Sequence, residues 1–374
     1  MGDSDLILEA RLKTQADLGL LRSLETAAPP IDFASNDYLG LARNSRFEKR
    51  LFDAVASRPS SLLGSTGSRL LTGNSTCIEA VEQKISQNQQ QQSATLFPSG
   101  YLANLCLFSC IPQRGDTVLV DADIHRSIHD GCQLNTAKKW KFKHNDLADL
   151  ERLLSRAHGQ CFVAVESVYS MDGSFAPLRE LLSLCKRYRA LLIVDEAHAF
   201  GVFGWGLVAE LQLQSQVFAT VVTYGKALGC HGAAVLGSRL LRRYIVNFGS
   251  PLIYSTAASD VQWLAIEQGY DFLAQNPDLS IQLQQNIRFY LQLQQRPSTG
   301  LLSPIQPLII SGNAAVQKKA GELAEAGFSV LPIRSPTVAV GQERLRICLH
   351  SYNTPAEMTQ LHSLLTHKNQ HENS

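Results

Sequence analysis

The sequence predicts an α/β protein with a large, mostly parallel sheet, followed by a smaller α+β domain. Between about residues 95 and 240, short apolar runs alternate with helical patterns, which is typical of parallel strands covered by helices on both faces. After about residue 270 a glutamine-rich helical stretch gives way to strands and helices in mixed order. A chain of 374 residues also exceeds one ordinary hydrophobic core, so we expect two unequal domains.

The first elements in the chain are a helical segment and then a set of buried strands. Residues 4–24 have helical periodicity with one apolar side, formed by Leu6, Leu8, Leu12, Leu18 and Leu21. The prolines at 29 and 30 end this segment, and an extended stretch follows. The strands predicted in the large domain lie at 117–120, 162–165, 191–194, 220–222 and 233–236, with helical patterns such as 178–189 between them.

The remaining elements form the C-terminal domain. We predict a helix at 281–295, a loop at 297–300, strands at 306–310, 328–332 and 344–349, and helices at 314–326 and 355–365. The glutamine run at 87–92 predicts an exposed helix end or loop. These patterns divide the chain into an N-terminal helical segment at 1–35, a large domain at 36–270 and a C-terminal domain at 271–374.

Composition narrows the class of protein. With 45% apolar and 18% charged residues the chain is typical of a soluble globular protein, and its net charge of +1 offers no bulk attraction to nucleic acid or anionic membranes. The densest basic run, at 138–143, carries two aromatics. A strand with a solvated lysine face is favoured there over a nucleic-acid contact, and an acidic partner protein is the further alternative.

Cysteine spacing and hydropathy indicate the compartment. The eight cysteines are scattered without a C-x-x-C motif, which favours reduced thiols and a cytoplasmic protein. The acidic N-terminal residues do not resemble a signal peptide, and no stretch approaches the roughly twenty apolar residues that cross a bilayer.

Two polar side chains that follow predicted strands constrain the chemistry most. Lys226 comes shortly after the strand at 220–222, and Asp195 directly follows the strand at 191–194. The ends of neighbouring parallel strands meet at one edge of a sheet, so an amine and a buried carboxylate lie together there. Pyridoxal 5'-phosphate (PLP) requires this pair, because the lysine binds the cofactor covalently and the carboxylate keeps its ring nitrogen protonated.

A phosphate site is predicted nearby. Ser99 and Gly100 follow an apolar run and precede a helical one at 102–110, so free N–H groups at a helix N-terminus can bind an anion. An ordinary strand-to-helix turn would give the same pattern. The glycine-rich stretch at 64–73 lacks both the Walker lysine and the Rossmann context, and we interpret it as a flexible active-site loop.

Two histidines and an arginine complete the candidates. His125 could cover one face of a planar cofactor or be a polar loop residue, and His198 could bond Asp195 or the cofactor's phenolic oxygen. Further ligands at metal spacing are missing, so we expect no metal. Arg346 lies in a strand pattern at 344–349, where it belongs either to a solvated face or to a fork that binds a substrate carboxylate.

Beyond these residues, the chain closely resembles the α-oxoamine synthases, fold type I PLP transferases that join an amino acid to an acyl thioester. The motifs that carry the resemblance are SNDYLGL at 35–41, GSTGSR at 64–69, FPSGY at 97–101, SMDG at 170–173, DEAH at 195–198 and TYGK at 223–226. The stretches 305–309 and 334–338 are most similar to the branch that condenses L-alanine with a pimeloyl thioester in biotin synthesis.

The resemblance implies a role for each matching residue. Lys226 would bind the cofactor covalently, Asp195 would face its ring nitrogen, His125 would stack on the ring and His198 would bond the phenolic oxygen. The further cofactor contacts would be Ser99, Gly100, Tyr101, Ser170 and Thr223, with Glu166 nearby.

Other matching residues imply a substrate site and a dimer. Ser255 and Thr256 would reach the cofactor phosphate of a neighbouring subunit, which implies a homodimer. The residues expected at the amino-acid substrate are Asn36, Arg346, Thr337 and Arg22. The acyl group would arrive on coenzyme A or on an acyl carrier protein, and the carrier would bind at the run at 138–143 or at Arg242 and Arg243.

Some positions depart from the family pattern, and other functions are still compatible with the sequence. Thr66 takes a place that is often glycine, Cys230 and His231 replace smaller residues, and Ala339 replaces a frequent proline. Alternatives are another α-oxoamine synthase that uses glycine or serine, an aminotransferase, and a non-catalytic homologous subunit.

Overall fold

A computed structural model describes residues 3–22, 24 and 29–366. The strands of this part of the chain are β1 (Ile31–Asp32), β2 (Ser93–Phe97), β3 (Thr117–Asp121), β4 (Lys138–Phe142), β5 (Cys161–Glu166), β6 (Leu191–Asp195), β7 (Ala219–Thr223), β8 (Ala233–Gly237), β9 (Ile305–Ile309), β10 (Phe328–Ser329), β11 (Leu331–Ile333) and β12 (Arg344–Cys348).

The helices are α1 (Asp3–Asp17), α2 (Ser45–Ala56), α3 (Thr76–Asn88), α4 (Gly100–Cys110), α5 (Arg126–Gln133), α6 (Leu147–Leu154), α7 (Leu178–Arg187), α8 (Leu207–Glu210), α9 (Arg239–Phe248), α10 (Ser250–Ile253), α11 (Asp260–Gln275), α12 (Asp278–Leu293), α13 (Asn313–Glu325) and α14 (Pro355–Thr366). Short 3-10 helices span Leu41–Arg43 and Pro59–Leu62.

The central sheet has seven strands in the order β2-β8-β7-β6-β5-β3-β4. Strands β3 to β7 pair in parallel, whereas β8 is antiparallel to both of its neighbours. The mostly parallel sheet is therefore confirmed, and each of the five predicted strands is present within one or two residues. Strand β2 was missed because its polar Ser93 and Thr95 interrupt the apolar run.

Helices cover both faces of this sheet, as parallel strands require. In β5, Val163 and Val165 pack with α6 and α7 on one face. Phe162 and Ala164, which alternate with them, pack with α4 and α5 on the other. The carboxyl ends of the parallel strands remain open, and the polar residues after them collect at that edge.

The C-terminal elements form a three-stranded antiparallel sheet in the order β11-β12-β9, backed by α13, while α14 packs against α12. The predicted strand at 328–332 is in fact two strands, because β10 pairs with β1 and β11 pairs with β12. The pairing of β1 with β10 brings residues 31–44 against the C-terminal domain.

Two predictions at helix ends need correction. The N-terminal helix ends at Asp17 rather than near 24, and the leucines of the predicted apolar side are half or more exposed, so this side is not buried in the described chain. In the glutamine run, Gln89 is buried and its Nε2 donates to the Tyr270 hydroxyl at 3.3 Å. A buried amide with a partner explains why this run is not a fully exposed loop.

The domain boundaries at 35 and 270 stay a prediction, and the segments 1–35 and 271–374 extend beyond the described residues. The basic run forms the edge strand β4 with exposed Lys138, Lys139 and Lys141, as predicted for a solvated lysine face. Charged side chains on an edge strand disfavour pairing with another chain. Among the residues described, no helix combines the length and apolar character needed to span a membrane.

Candidate active site

A cavity of 260 Å³ opens at the carboxyl ends of the central strands. Ten predicted residues line it: Asn36, Ser99, Gly100, Tyr101, His125, Glu166, Asp195, His198, Thr223 and Lys226. The sheet brings them together because Glu166 ends β5, Asp195 ends β6 and Thr223 ends β7, and these strands are neighbours. The sequence analysis missed Asn104, Ala197, Gly225, His231 and Gly232, which also line the cavity.

Asp195 is buried and held by two hydrogen bonds. Asn104 Nδ2 donates to its Oδ2 at 2.7 Å, and the backbone N–H of Ala197 donates to its Oδ1 at 2.9 Å. Asn104 is itself buried in the otherwise apolar helix α4, and this was the signal that could have revealed it. With both oxygens fixed, the carboxylate keeps one orientation at the cavity wall.

Lys226 stands in the turn between β7 and β8, which three backbone bonds tie down. The bonds run from Tyr224 N to Gly232 O, from Cys230 N to Tyr224 O and from Gly229 N to Lys226 O, each at 2.9 Å. Burial lowers the pKa of the Lys226 amine, while the charges of Asp195 and Glu166 oppose that shift. Burial thus shifts the equilibrium of Lys226 toward the neutral amine, the form that reacts with a carbonyl group.

Glu166 lies on the same wall and is fully buried. Burial, reinforced by the neighbouring Asp195 charge, raises its pKa well above the ordinary value. Its Oε2 accepts from the backbone N–H of Ser170 at 3.2 Å. This shift favours the protonated form of Glu166 next to Asp195.

The two histidines differ in their surroundings. The Nδ1 atom of His125 accepts from the Ser127 N–H at the start of α5, and burial lowers the pKa of the ring. His198 is buried, and burial together with the positive charge of Lys226 holds its pKa well below the ordinary value. Its Nδ1 lies 2.7 Å from the Tyr38 hydroxyl, so His198 bonds Tyr38 rather than Asp195, which was one of its two predicted partners.

Arg346 on β12 is only 3% exposed, which excludes the solvated-face interpretation. Its Nη2 donates to Asn36 Oδ1 at 2.9 Å and to the Tyr38 hydroxyl at 3.3 Å, and its Nε donates to the Ser170 carbonyl at 2.5 Å. A guanidinium fixed beside the cavity and held by neutral oxygens retains its charge for an anionic ligand.

The opposite end of the cavity suits a phosphate. Thr223 Oγ1 is buried and has no hydrogen-bond partner within residues 3–22, 24 and 29–366. Ser99 caps α4 by accepting from the Leu102 N–H, and a Cβ on Gly100 would collide with the Thr223 methyl group. An orphaned hydroxyl, a helix N-terminus and a required glycine together form a cradle that fits the phosphate of PLP.

Several predicted residues lie outside the cavity of this single chain. Ser170 is buried behind Arg346, Ser255 is half-buried, and Thr256, Thr337 and Arg22 are exposed. Their roles toward the cofactor, the substrate or a partner subunit stay predictions. Tyr101 does line the cavity, and its hydroxyl donates to Asp130 Oδ2 at 2.6 Å. The described residues contain no cluster of ligands that could hold a metal ion.

Comparison with known proteins agrees with this geometry. Residues 28–365 match the family described as aminotransferase class I and II. The chain is 36% identical over 331 residues to 8-amino-7-oxononanoate synthase from Lysinibacillus sphaericus, which covers 86% of this chain and 84% of that protein.

Solved structures show the same fold. A variant of serine palmitoyltransferase from S. paucimobilis, with a PLP–myriocin aldimine bound, has a TM-score of 0.85 at 25% identity and covers 96% of this chain and 95% of its own. The 8-amino-7-oxononanoate synthase of Francisella tularensis has a TM-score of 0.76 at 28% identity, covering 90% and 96%. The fold prediction is thereby confirmed.

Proposed function

This chain belongs to the α-oxoamine synthases, PLP transferases of fold type I, and from that premise we propose that it condenses L-alanine with a pimeloyl thioester. The products would be 8-amino-7-oxononanoate, CO2 and the free thiol, in biotin synthesis. The observation that carries the proposal is the buried Arg346 beside the Lys226–Asp195 cavity, because it supplies a carboxylate site next to the reactive amine.

The choice of amino acid and acyl group rests on sequence similarity. Four further relatives named 8-amino-7-oxononanoate synthase, or putatively so, are 35–38% identical over most of their length. The serine palmitoyltransferases are similar in structure at 25–26% identity. The higher identity favours the alanine-specific branch over the serine-specific one.

Different residues of the cavity would bind different parts of the cofactor. Thr223 Oγ1, Ser99 and the N–H groups at the start of α4 would hold the phosphate, His125 would cover the ring, and Asp195 would keep the ring nitrogen protonated. When bound, PLP withdraws electrons from the amino-acid Cα, so that its proton can leave and a carbon–carbon bond can form.

The chain's own groups then move the protons. Lys226 Nζ, whose pKa burial lowers, would accept the Cα proton and later return it. Arg346 and Asn36 would grip the substrate carboxylate until it leaves as CO2, which fixes the direction in which the Cα–H bond points. The acyl thioester loses its thiol as the new bond forms.

We also propose a homodimer in which Ser255 and Thr256 serve the partner's site. Thr256 pairs with Ser68, and the N–H of Ala257 donates to the Gly67 carbonyl at 2.9 Å, so this segment and the glycine-rich loop form one surface. The exposed side chains of Leu71 and Tyr254 lie on it at 80% and 83% exposure. Apolar side chains this exposed support a protein contact at that surface.

An acyl carrier protein would be one of the two acyl donors. Strand β4 is a better candidate for its binding site than the surface around Arg242. Arg242 is engaged by Glu79 and Glu82, with Nη2 to oxygen distances of 3.1 and 2.9 Å. Lys138, Lys139 and Lys141 form no ion pair with any described residue, which leaves their charge available to an acidic partner.

The test is product formation with defined substrate pairs. PLP-loaded protein is given L-alanine, glycine or L-serine with pimeloyl-CoA or palmitoyl-CoA, and CO2 and the aminoketone are measured. Alanine with the pimeloyl thioester has to give the highest kcat/KM. Lys226→Ala has to abolish turnover, while Lys319→Ala serves as the matched control. Preference for serine with palmitoyl-CoA would overturn the substrate assignment and leave the family in place.

A further inference from the structure

A second cluster of charged groups lies beside the cavity, around His144. This residue follows β4, and its Nδ1 lies 2.8 Å from Oδ1 of the fully buried Asp121 at the end of β3. Its Nε2 lies 2.8 Å from Ser174 Oγ. Asp123 and Asp172 are each 3.8 Å away, so three carboxylates surround one imidazole.

The His144 ring carries a hydrogen on Nδ1, because that atom faces the Asp121 carboxylate. Ser174 Oγ donates its own hydrogen to Asp172 Oδ1 at 2.8 Å, so it accepts from Nε2 when the ring is protonated. In the neutral ring Nε2 instead accepts from Asn145 Nδ2, which lies 3.2 Å away and also donates to the Phe175 carbonyl at 3.1 Å. The contact through Ser174 therefore belongs to the protonated ring.

Ser174 belongs to a hairpin at residues 166–175, here called the Ser170 hairpin. Val168 bridges to Phe175, the Tyr169 N–H donates to the Ser174 carbonyl at 2.9 Å, and the Gly173 N–H donates to the Tyr169 carbonyl at 3.0 Å. The His144 ring also packs edge-on against Tyr169, with centroids 4.4 Å apart. His144 therefore anchors one side of this hairpin to the central sheet.

The other side of the Ser170 hairpin supports the carboxylate-binding arginine. The Ser170 carbonyl accepts from Arg346 Nε, and its N–H donates to Glu166. Asn36 and Tyr38 hold Nη2 of the same guanidinium. Movement of the hairpin would release one of the contacts that fix the plane of Arg346.

We propose that His144 is a positioning residue for amino-acid binding: held between Asp121 and Ser174, it fixes the Ser170 hairpin and thereby the orientation of Arg346. The inference rests on the proposed function, since it assigns Arg346 to the substrate carboxylate. Within the described part of the chain, His144 does not line the cavity and has no hydrogen bond or ion pair with Arg346, so its effect passes through the hairpin.

The charge of the ring predicts a pH dependence. Burial alone would lower the pKa of His144, but the hydrogen bond and charge of Asp121, with Asp123 and Asp172, raise it. Tyr169 is the remaining titratable group against the ring, and Arg344 acts on Asp123. The contacts of His144 with Asp121 and Ser174 are therefore complete below the raised pKa of the ring, and they weaken as the pH rises through that pKa.

The first test is His144→Phe in the PLP-loaded protein, with the exposed His158→Phe as control. The KM for the amino acid has to rise about tenfold, as expected for a lost charge-assisted hydrogen bond, while kcat and the KM for the thioester stay within about twofold. His144→Gln, which keeps one donor for Ser174, has to recover part of the loss. Equal changes in both KM values, or none, would overturn the proposal.

A second test does not depend on turnover. In protein without PLP, hydrogen exchange at the Tyr169 and Gly173 amides has to be faster in His144→Phe than in wild type, and unchanged exchange overturns the proposal. Should that variant fail to fold, because the buried Asp121 loses its hydrogen bond with the imidazole, Ser174→Ala has to give the same KM change and faster exchange. If wild type makes no product with any pair, the proposed function fails, while the exchange result still decides the anchoring.

Discussion

The Tyr38 hydroxyl lies 2.7 Å from Nδ1 of His198 and accepts from Nη2 of Arg346 at 3.3 Å. A hydroxyl has one hydrogen, and the His198 ring is neutral because burial and Lys226 hold its pKa low. The hydroxyl also lies 3.1 Å from Asn36 Oδ1, so it donates either to Nδ1, which leaves the ring proton on Nε2, or to Asn36, which leaves the ring proton on Nδ1. Tyr38 thus links the tautomer of His198 to the carboxylate site.

Replacing Tyr38 by phenylalanine tests this link. We expect Tyr38→Phe to lower kcat/KM about tenfold, the size of one lost buried hydrogen bond, and to redistribute the His198 proton between its two nitrogens. Kinetics and 15N chemical shifts of the ring measure the two effects. The control is Tyr290→Phe, whose buried hydroxyl has no partner in the described chain. An unchanged proton distribution in Tyr38→Phe would show that Tyr38 does not determine the tautomer of His198.

Glu196, directly after Asp195, predicts how stability changes with pH. It is buried beside the Val208 N–H, and burial raises its pKa to about 8 from 4.5. Between these values the folded state binds a proton that the unfolded state has lost, so stability falls as the pH rises. Glu196→Gln removes this dependence.

Denaturant unfolding of the apoprotein at pH 5 and pH 8 measures the effect. Between pH 5 and pH 8, the free energy of unfolding of Glu196→Gln has to rise relative to that of wild type by on the order of 3 to 4 kcal/mol. The exposed Glu210→Gln is the control and has to follow the wild-type curve. If the free energies of unfolding of wild type and Glu196→Gln change equally between pH 5 and pH 8, Glu196 is ionised in the folded state.

Apolar runs and polar residues at strand ends were sufficient to predict the parallel sheet and to bring Lys226 and Asp195 together. The family resemblance added the cavity residues Asn36, Tyr101, Glu166 and Thr223. Lys226, Asp195 and Thr223 follow strands whose order the parallel topology determines. Asn104 and Tyr38 were not singled out, because their role depends on which buried polar atom they face across the fold. Sequence patterns give the face of a helix or strand, but not the partner on a distant element.

The loop residue Thr66 shows a second kind of information that only the backbone supplies. Its φ is 61°, a left-handed conformation that a β-branched residue adopts at a cost. This explains why the position is often glycine in the family. We expect Thr66→Gly to raise the free energy of unfolding by about 0.5 to 1 kcal/mol, the strain relieved less the entropy of glycine.

The matched control is Thr66→Ala, which loses the hydroxyl bond to the Ser65 carbonyl but keeps the strained φ. Thermal and denaturant unfolding of both variants measure the difference. A stabilisation by alanine equal to that by glycine would place the effect in the lost hydroxyl rather than in the backbone.

The lysines of β4 predict how the acyl donor is recognised. Changing Lys138, Lys139 and Lys141 to glutamate has to raise the KM for a pimeloyl carrier protein about tenfold and leave that for pimeloyl-CoA unchanged. The wild-type preference for the carrier also has to weaken at high salt. Lys318→Glu, a charge reversal on exposed α13, is the control. Equal loss with both donors would rule out this strand as the carrier site.

Hybrid dimers test whether Ser255 and Thr256 act across subunits. Lys226→Ala subunits and Ser255→Ala/Thr256→Ala subunits are each expected to have little activity alone. If every site joins Lys226 of one chain to Thr256 of the other, half of the sites in a hybrid contain both intact residues. Unfolding and refolding an equal mixture would then restore roughly a quarter of wild-type activity, since about half of random dimers are hybrids. Refolding each variant alone is the control. If both residues served their own chain, every hybrid site would retain one defect, and mixing would restore nothing.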